Sequence, residues 1–320
     1  MHAFEEDHLL PSRNVSGDRQ SGFLPAIVDA HHHLWSLGSV TYPWLMAKGQ
    51  RRFFGDPAPI QKDYLTADFI DDHAGAAVEA SVHVQVGAAP GQELAETSWL
   101  DAQARQTGFP TAIVAFADVS SPHILDALAA QVETSSRVRG IRQIVSRHSA
   151  EDGAAEGTAL LARPEFLSGL RQLARLGLSF DLQLTPPLLE QAAEVFGKVE
   201  ELPVALCHAG SPWDQSPEGL RSWRKGLAAF AGLSRSSVKL SGFGMFDPHW
   251  TGASLKPLVE AALEAFGPTR TMWGSNFPVD KLYRSYQEVL ATVMSLVPEA
   301  QREDVFNRTA RRFYRIPTAP

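Results

Sequence analysis

Short apolar segments rich in β-branched residues alternate along the chain with longer segments in which apolar residues recur every three or four positions. Nearly continuous apolar runs are typical of strands buried on both faces of a parallel sheet, and the longer spacing is typical of amphipathic helices. Eight such runs occur, at residues 26–35, 77–87, 111–119, 138–145, 178–184, 203–209, 237–243 and 269–275. Eight strands alternating with helices predict an α/β protein, a distorted (β/α)₈ TIM barrel.

Helical periodicity is clearest in three segments. Apolar residues follow Pro164 at helical spacing, and proline favours the first turn of a helix. The same spacing recurs in residues 188–199 and 286–297. We expect one barrel domain over residues 23–320, after a flexible arm at residues 1–22. Residues 36–63 are rich in proline and glycine and predict a long first loop, which we expect to act as a lid.

Composition and charge limit the possible partners. The 320 residues have a net charge of −7 and no basic tract, which argues against nucleic-acid binding. The single cysteine, Cys207, excludes an internal disulfide and fits a reducing compartment. The sequence has neither a signal-peptide pattern nor an apolar stretch near the roughly 20 residues of a membrane span. We therefore expect a cytoplasmic protein that acts on a small molecule without a membrane partner, and the aromatic first loop suggests a homodimer.

Three consecutive histidines, His31 to His33, end the first apolar run. Alternate side chains of a strand share a face, so His31 and His33 should point to one side and His32 to the other. Two imidazoles on one face at the end of a strand can bind a metal ion, polarise a carbonyl group, or do both.

Polar residues also occur at the ends of later runs, where barrel enzymes have their active sites. These candidates are His83, Arg142, Arg147, His148, His208 and Asn276. An arginine at the mouth of a barrel in an acidic protein favours an anionic substrate, although Arg142 could equally close a structural salt bridge. A strand histidine such as His83 is often a satisfied core residue.

Three further polar residues of the later strands have simple structural explanations. Lys239 and Ser241 could hydrogen-bond to neighbouring strands. We expect Cys207 to pack inertly, because no acid–base pair adjoins it in the sequence.

Several motifs, in their order along the chain, resemble those of the amidohydrolase-2 family. They are DAHHHLW at 29–35, GIRQ at 140–143, FDLQ at 180–183, CHAGSP at 207–212, VKLSGFG at 238–244 and GSNFPVD at 274–280. The resemblance extends from about residue 25 to residue 314 and is nearest to the fuconolactonase-like and 2-pyrone-4,6-dicarboxylate lactonase-like branch. It implies a distorted barrel and hydrolysis at a carboxyl carbon, usually that of a lactone.

The resemblance also implies roles for individual residues. His31, His33 and His208 would surround the scissile carbonyl, with or without a divalent metal such as Zn²⁺ or Mn²⁺. Arg142 would hold the substrate. His83, Arg147, His148 and Trp35 complete the set of candidate substrate-binding residues.

Asn276 departs from the family pattern, because an aspartate normally serves there as general base and, in metal-dependent relatives, as a ligand. An amide does not accept a proton at neutral pH. A metal-bound water could make the base unnecessary, or His208 or His148 could replace it, with Asn276 orienting water or an oxyanion. Alternatively, the reaction differs, or the asparagine inactivates the protein. We do not expect Asp280 to be the base, since it follows Pro278 in a loop.

The sequence thus favours hydrolysis of a small carboxylated or sugar-derived lactone. In this hypothesis His31 and His33 polarise the carbonyl, His208 assists or acts as the base, and Asn276 positions water. Arg142 and Arg147 would bind a carboxylate or hydroxyl groups. The alternatives are a metal-dependent decarboxylase or hydratase of an aromatic or unsaturated acid, and a binding protein without catalytic activity.

Overall fold

The computed structural model describes residues 25–148 and 154–318, so the predicted arm at residues 1–22 lies outside the described part. Within this part, eight parallel strands pair in chain order. They are β1 (Ile27–His32), β2 (Val78–Val84), β3 (Ala112–Ala115), β4 (Val138–Ile144), β5 (Ser179–Gln183), β6 (Val204–Leu206), β7 (Ser236–Leu240) and β8 (Thr271–Trp273). Each predicted run overlaps one strand, with β7 starting one residue before its run, and the predicted barrel is confirmed.

Helices follow the strands and form the outer layer. They are α1 (Pro43–Met46), α2 (Thr66–Asp72), α3 (Glu93–Thr107), α4 (Ile124–Thr134), α5 (Ala154–Ala162), α6 (Pro164–Arg175), α7 (Leu189–Phe196), α8 (Pro217–Ala231), α9 (Gly252–Phe266), α10 (Tyr286–Leu296) and α11 (Thr309–Tyr314). The three segments of clear helical periodicity correspond to α6, α7 and α10. Hydroxyl groups of Ser216, Thr251 and Ser285 accept backbone N–H groups at the starts of α8, α9 and α10, which satisfies donors that a helix leaves unpaired. Among the described helices, none is long and apolar enough to cross a membrane.

The barrel is filled from its lower end, where the strands begin. Small and branched side chains such as Val28, Ala112 and Ala205 fill the interior, and Tyr314 of α11 packs against them. The Tyr314 hydroxyl donates to Asp181 Oδ2 at 2.8 Å, and the same oxygen lies 2.5 Å from Lys239 Nζ. The helix therefore closes the lower end, and the upper end remains for a site.

The seam between β8 and β1 brings two motifs together. Asn276 N donates to the His31 carbonyl and His33 N donates to the Phe277 carbonyl, both at 2.7 Å. Gly274 permits this approach, because a Cβ atom there would lie 2.7 Å from the His31 backbone nitrogen. The histidine motif and the asparagine motif are thus joined by the backbone itself.

The connection from β1 to α2 packs over the upper end of the barrel. It contains α1 and is tied down by the indole of Trp44, which donates to the Val86 carbonyl at 2.8 Å. Residues 36–63 thus reach the C-terminal ends of the strands, where the predicted lid would have to lie.

Candidate active site

The end of β1 separates its three histidines. The pairing of β1 with β2 is irregular between Asp29 and His32. His32 faces the outer layer, where its ring stacks on Phe69 of α2 at 4.1 Å and its Nε2 lies 2.9 Å from Ser81 Oγ. His31 and His33 face the interior. The predicted division of the three side chains is confirmed.

The two inward histidines meet a third at the end of β6. The ring centre of His31 lies 5.1 Å from that of His33 and 4.5 Å from that of His208. Burial lowers the pKa of His33 to about 3, and the positive charge of Arg142 is the second cause. Burial also holds the pKa of His31 and of His208 well below the usual value. All three are therefore neutral imidazoles at neutral pH.

Each of the three rings has a different partner at Nδ1. His31 Nδ1 lies 3.4 Å from Lys239 Nζ, His33 Nδ1 lies 2.7 Å from the Val84 carbonyl oxygen, and His208 Nδ1 lies 3.0 Å from Ser241 Oγ. A carbonyl oxygen can only accept, so the neutral ring of His33 has its proton on Nδ1 and a lone pair on Nε2. A hydroxyl group can donate or accept, so it leaves the proton of His208 on either nitrogen.

His208 projects from a strained turn. Its φ is +54°, a left-handed conformation that is uncommon outside glycine, and the next residue, Ala209, has a φ of +51°. The Trp223 indole donates to the Ala209 carbonyl at 2.7 Å and holds this turn. Gly242 is required beside it, because a Cβ atom there would lie 2.4 Å from His208 Nδ1. Such local strain is concentrated at functional sites in proteins.

Asn276 lies next to His33 and is held from behind. Its Nδ2 donates to Asp280 Oδ1 at 3.2 Å, and its side chain also hydrogen-bonds with His33. Burial raises the pKa of Asp280 to about 7. The bond to Asp280 uses one N–H of the amide, so the contact with His33 is made by the second N–H or by the amide oxygen. Asp280 follows the cluster in a short turn, as expected, but it is buried against Asn276, a contact that the sequence analysis did not anticipate.

A cavity of about 430 Å³ opens at the upper end of the barrel over these groups. Its lining includes His33, His208, Asn276, Arg142, Arg147, Gln85, Gln183, Phe116, Met245 and Val279 from the barrel, together with Trp44, Arg52, Phe53 and Phe54 from the first loop. The positions combine neutral acceptors, cationic donors and aromatic walls. This composition suits a small polar or anionic ligand.

Arg142 is fixed in the floor of the cavity. Its Nη1 donates to Gln183 Oε1 at 3.1 Å and its Nη2 donates to the Gln85 carbonyl. Its Nε is buried and has no hydrogen-bond partner among the described residues. The arginine closes no salt bridge within residues 25–148 and 154–318, so the structural alternative for Arg142 finds no carboxylate partner there.

The structure places the nine candidate residues in three positions. His33, Arg142, Arg147, His208 and Asn276 line the cavity, and His31 lies directly against two of them. His148 stands one layer back, with its ring parallel to that of the cavity residue Phe53 at 6.0 Å.

His83 and Trp35 lie behind the cavity wall. His83 is fully buried, and its Nδ1 accepts the Leu34 backbone N–H at 3.1 Å. Trp35 is also fully buried and donates to the Lys62 carbonyl. Both support the backbone that follows the histidines. Their proposed contact with substrate stays a prediction, and this geometry does not place either on the surface of the cavity.

Sequence reasoning missed two groups of residues. Trp44 of α1 belongs with Phe53 and Phe54 to the connection after β1, and their only signal was that this connection is long and aromatic. Lys239 was assigned to simple strand contacts, but it reaches both Asp181 and His31 in the interior. A lysine in the middle of an apolar strand was the available signal, because a buried charge needs a partner.

Of the two alternatives at His31, His33 and His208, with or without a divalent metal, the residues present do not fit the metal. Within the described ranges, no three His, Cys, Asp or Glu side chains are arranged to hold a metal ion. Lys239 and Arg142 place positive charge beside the rings, and Asn276 supplies an amide where a carboxylate ligand would stand. The zinc or manganese site therefore finds no support in this arrangement of side chains.

Comparison with known proteins identifies the family. The family model described as "Amidohydrolase" matches residues 28–316. The chain belongs to the amidohydrolase family. It is 36% identical over 297 residues to the uncharacterized protein y4mH of Sinorhizobium fredii, which covers 91% of this chain and 99% of that protein. The family resemblance found in the motifs is thereby confirmed, and the protein is a hydrolase.

Two further relatives of this amidohydrolase come from Burkholderia multivorans. An L-fucono-1,5-lactonase is 28% identical over 305 residues, which are 91% of this chain and 96% of the lactonase. A crystal structure of an amidohydrolase with bound zinc superposes with a TM-score of 0.77 at 26% identity, covering 91% of this chain and 99% of that one.

Proposed function

We propose that this amidohydrolase hydrolyses a small lactone that has a carboxylate or another anionic group. The observation on which the proposal depends is the convergence of His33, His208 and Asn276 with Arg142 in one cavity at the upper end of the barrel. The similarity to an L-fucono-1,5-lactonase supports the choice of a lactone ester bond. The choice of an anionic substrate is supported by the arginine, which is the preferred side chain for binding carboxylates.

The hydrogen-bonding pattern favours His33 as the group that accepts the proton of the attacking water. Its Nδ1–H is engaged by the Val84 carbonyl, so its lone pair is on Nε2, the ring atom left for the Asn276 side chain and for a water molecule between the two. The amide oxygen of Asn276, directed away from Asp280, would accept the second proton of the same water. Water oxygen then bonds to the carbonyl carbon, and its proton passes to His33. His31 and His208 surround the oxygen on which negative charge develops.

Collapse of the tetrahedral intermediate completes the reaction. The bond between the carbonyl carbon and the ring oxygen breaks, and the proton held by His33 passes to the departing alkoxide. The product is the hydroxy acid, and no oxidant or reductant is needed. His33 thus serves as base and then as acid, as a general acid–base catalyst does.

Binding of an anionic substrate would make His33 a stronger base. The charge of Arg142 is the second cause of the low pKa of His33 and the first charge effect on His208. A substrate carboxylate bound to Arg142 neutralises that charge and raises the pKa of both histidines towards the working range. A neutral lactone of similar size lacks this effect and should react more slowly.

The metal dependence of turnover should be tested directly, because a relative was crystallised with zinc. Since the described side chains do not fit such an ion, the proposed steps use only groups of the chain. Metal content should be measured in the purified protein, and turnover compared with and without chelator. We expect chelator to leave the rate unchanged, and a chelator-sensitive rate restored by zinc would contradict this part of the proposal.

The test of function is a pH-indicator assay over a panel of aldonolactones and carboxylated lactones. We expect acid release with at least one of them, and a higher kcat/KM for the carboxylated compounds. The His33→Ala variant should release no acid above background, whereas His32→Ala, on the outer face, should retain turnover. Release of CO₂, loss of unsaturation without ring opening, or ligand binding without any turnover would contradict lactone hydrolysis.

Two expectations about the surroundings of the protein belong to the same proposal. We infer a cytoplasmic location from the single cysteine, which fits a reducing compartment. We infer a homodimer from the aromatic residues of the first loop. Size-exclusion chromatography with light scattering would test the second.

A further inference from the structure

Lys239 and Asp181 form a buried ion pair beneath the three histidines. Both side chains are fully buried, with Lys239 Nζ 2.5 Å from Asp181 Oδ2. The ammonium group has two more neighbours, the Ala30 carbonyl oxygen at 2.9 Å and His31 Nδ1 at 3.4 Å. A lysine ammonium has three N–H donors and no acceptor, so these three contacts use all of its donors.

This contact constrains the ring of His31. A ring nitrogen that faces an ammonium group at 3.4 Å has no proton of its own, so the His31 ring is neutral, with one N–H and one lone pair. Because Lys239 can only donate, the lone pair must face it at Nδ1. The proton of His31 is therefore on Nε2, on the side of the ring away from Lys239. That Nε2 is buried and has no hydrogen-bond partner within residues 25–148 and 154–318.

His33 shows the opposite arrangement two residues later. Its Nδ1 faces a carbonyl oxygen, which can only accept, so its proton is on Nδ1 and its lone pair is on Nε2. Two neighbouring imidazoles of the same strand are thus set in opposite tautomers by two buried partners. One offers an N–H group from Nε2, and the other offers a lone pair.

We propose that Lys239 is a positioning residue that fixes His31 as the hydrogen-bond donor to the substrate carbonyl oxygen and leaves His33 as the proton acceptor. The catalytic part of this inference rests on the proposed lactone hydrolysis, while the tautomer of His31 does not. Donors placed at a developing oxyanion stabilise the transition state, and loss of one such donor lowers kcat by about 10²–10³-fold. The two histidines, for which the sequence predicts one shared role in polarising the carbonyl, thus have different roles.

The direct test is the tautomer of His31, read without substrate from long-range proton–nitrogen correlation spectra of isotope-labelled protein. The signals of His31 and His33 are assigned by their loss in His31→Gln and His33→Gln. We expect the proton on Nε2 in His31 and on Nδ1 in His33. A His31 proton on Nδ1 in the wild-type protein overturns the proposal, whatever the protein hydrolyses.

A variant that removes the lysine tests its positioning role. Lys239→Met alone would leave Asp181 as an unpaired buried charge, so the variant should combine Lys239→Met with Asp181→Asn. We expect this pair to shift the His31 proton to a mixture of both nitrogens. We also expect kcat to fall about 10²-fold, with KM changed less than about threefold, because the lost donor acts on the transition state. A double variant with the wild-type tautomer and kcat overturns the proposal.

Tyr314→Phe is the matched control. It removes a hydrogen bond from the same oxygen of Asp181 but leaves the contact between Lys239 and His31 in place. We expect a lower melting temperature with an unchanged His31 tautomer and unchanged kcat. If Tyr314→Phe lowered kcat as much as the double variant, the effect would be structural and the proposal would fail. If the double variant does not fold, the His31 tautomer in the wild-type spectrum still tests the proposal.

Discussion

Two pairs of histidines at the ends of β1 and β2 have opposite surroundings. In the inner pair, His33 lines the cavity and His31 packs against both His33 and the third histidine, His208. The outer pair, His32 and His83, lies in the layer between strands and helices, where His32 stacks on Phe69 and His83 accepts the Leu34 N–H. Burial lowers the pKa of all four. All four are therefore neutral histidines. Only their location in the fold distinguishes the pair at the site from the pair that supports the structure.

The comparison shows why a histidine cluster in a sequence is ambiguous. Both pairs are neutral and buried, so neither burial nor a shifted pKa distinguishes them. The useful difference is what each ring faces: a packed aromatic ring and a hydroxyl group outside, a cavity with a fixed arginine inside. Substitutions in the two pairs should therefore have opposite effects on turnover and on stability.

Alanine at His33 and at His32 should give the largest and most clearly opposed effects. In His33→Ala, kcat should fall about 10²–10⁴-fold, since general-base catalysis is lost. Its free energy of unfolding should change by less than about 1 kcal/mol, because water from the adjacent cavity can replace the ring. In His32→Ala, the lost stacking and the unpaired Ser81 should cost about 3 kcal/mol, with kcat changed less than about threefold.

These two variants should be compared by steady-state kinetics and urea unfolding of the same preparations. Loss of turnover in His32→Ala without loss of stability would break the distinction between the two pairs. So would a His33→Ala protein that hydrolyses the substrate at the wild-type rate.

Two substitutions of Asn276 should each lower kcat: one removes the amide group, and the other introduces a charge. In Asn276→Ala, loss of the group that orients water should lower kcat about 10²-fold. In Asn276→Asp, the new carboxylate would lie beside Asp280, and two carboxylates in one buried site cannot both ionise readily. We expect its pH–rate profile to gain an ionisation near neutrality and its kcat at neutral pH to stay below that of the wild type. Higher activity in Asn276→Asp would mean that the asparagine moves the chain away from the family's chemistry.

Two arginines of β4 allow a second comparison, since Arg142 lines the cavity and Arg139 lies away from it. Arg142→Met removes the buried cation of the cavity and should raise KM for a carboxylated lactone about 10²-fold, because charged hydrogen bonds contribute about 1.5–3 kcal/mol. Arg139, on the same strand, donates to backbone carbonyls at the lower end, so Arg139→Met should leave KM unchanged. Equal KM values for the two variants would contradict the assignment of Arg142 to the substrate anion.

The smallest effect that we expect is on the pH dependence of the free energy of unfolding, to which several buried groups contribute together. Five fully buried histidines, His31, His32, His33, His83 and His208, have a lowered pKa, so they stabilise the fold above pH 6.5 and lose that contribution as the pH falls. Asp29, Glu96 and Asp280, raised to about 6, about 7 and about 7, act in the opposite direction over part of this range. The buried histidines outnumber the carboxyl groups, so the net effect should be a fold that is less stable at acidic pH.

Unfolding in urea at several pH values would measure this effect. We expect the free energy of unfolding to decrease as the pH is lowered below 6.5, the ordinary pKa of histidine. A stability that rises on acidification would show that the carboxyl groups dominate and that the histidines are not neutral in the folded protein.

Much of the architecture could be predicted because it depends on local periodicity. The eight strands, the barrel and the opposite orientation of His32 follow from patterns within short segments. The meeting of His31, His33, His208 and Asn276 was predictable because the strand ends of a barrel meet at one edge.

The supporting contacts were not predictable in the same way. Lys239 touches His31 across the barrel, and no pattern within β7 indicates which side chain it reaches. Asp280 was assigned to a loop, but the turn after Asn276 folds it back into the interior. Trp44 and Phe53 reach the cavity through an irregular loop, whose path depends on tertiary packing.

Hydrolysis of a carboxylated lactone in water enriched in heavy oxygen would show whether water attacks the carbonyl carbon and whether this attack needs His33. Wild-type protein and the His33→Ala and His32→Ala variants would be compared by mass spectrometry of the product. We expect one heavy oxygen atom in the new carboxylate and none in the new hydroxyl group, at similar rates for wild type and His32→Ala, with labelling by His33→Ala close to the rate without enzyme. Label in the hydroxyl group, or equal labelling by His33→Ala, would contradict attack of water on the carbonyl at the inner histidines.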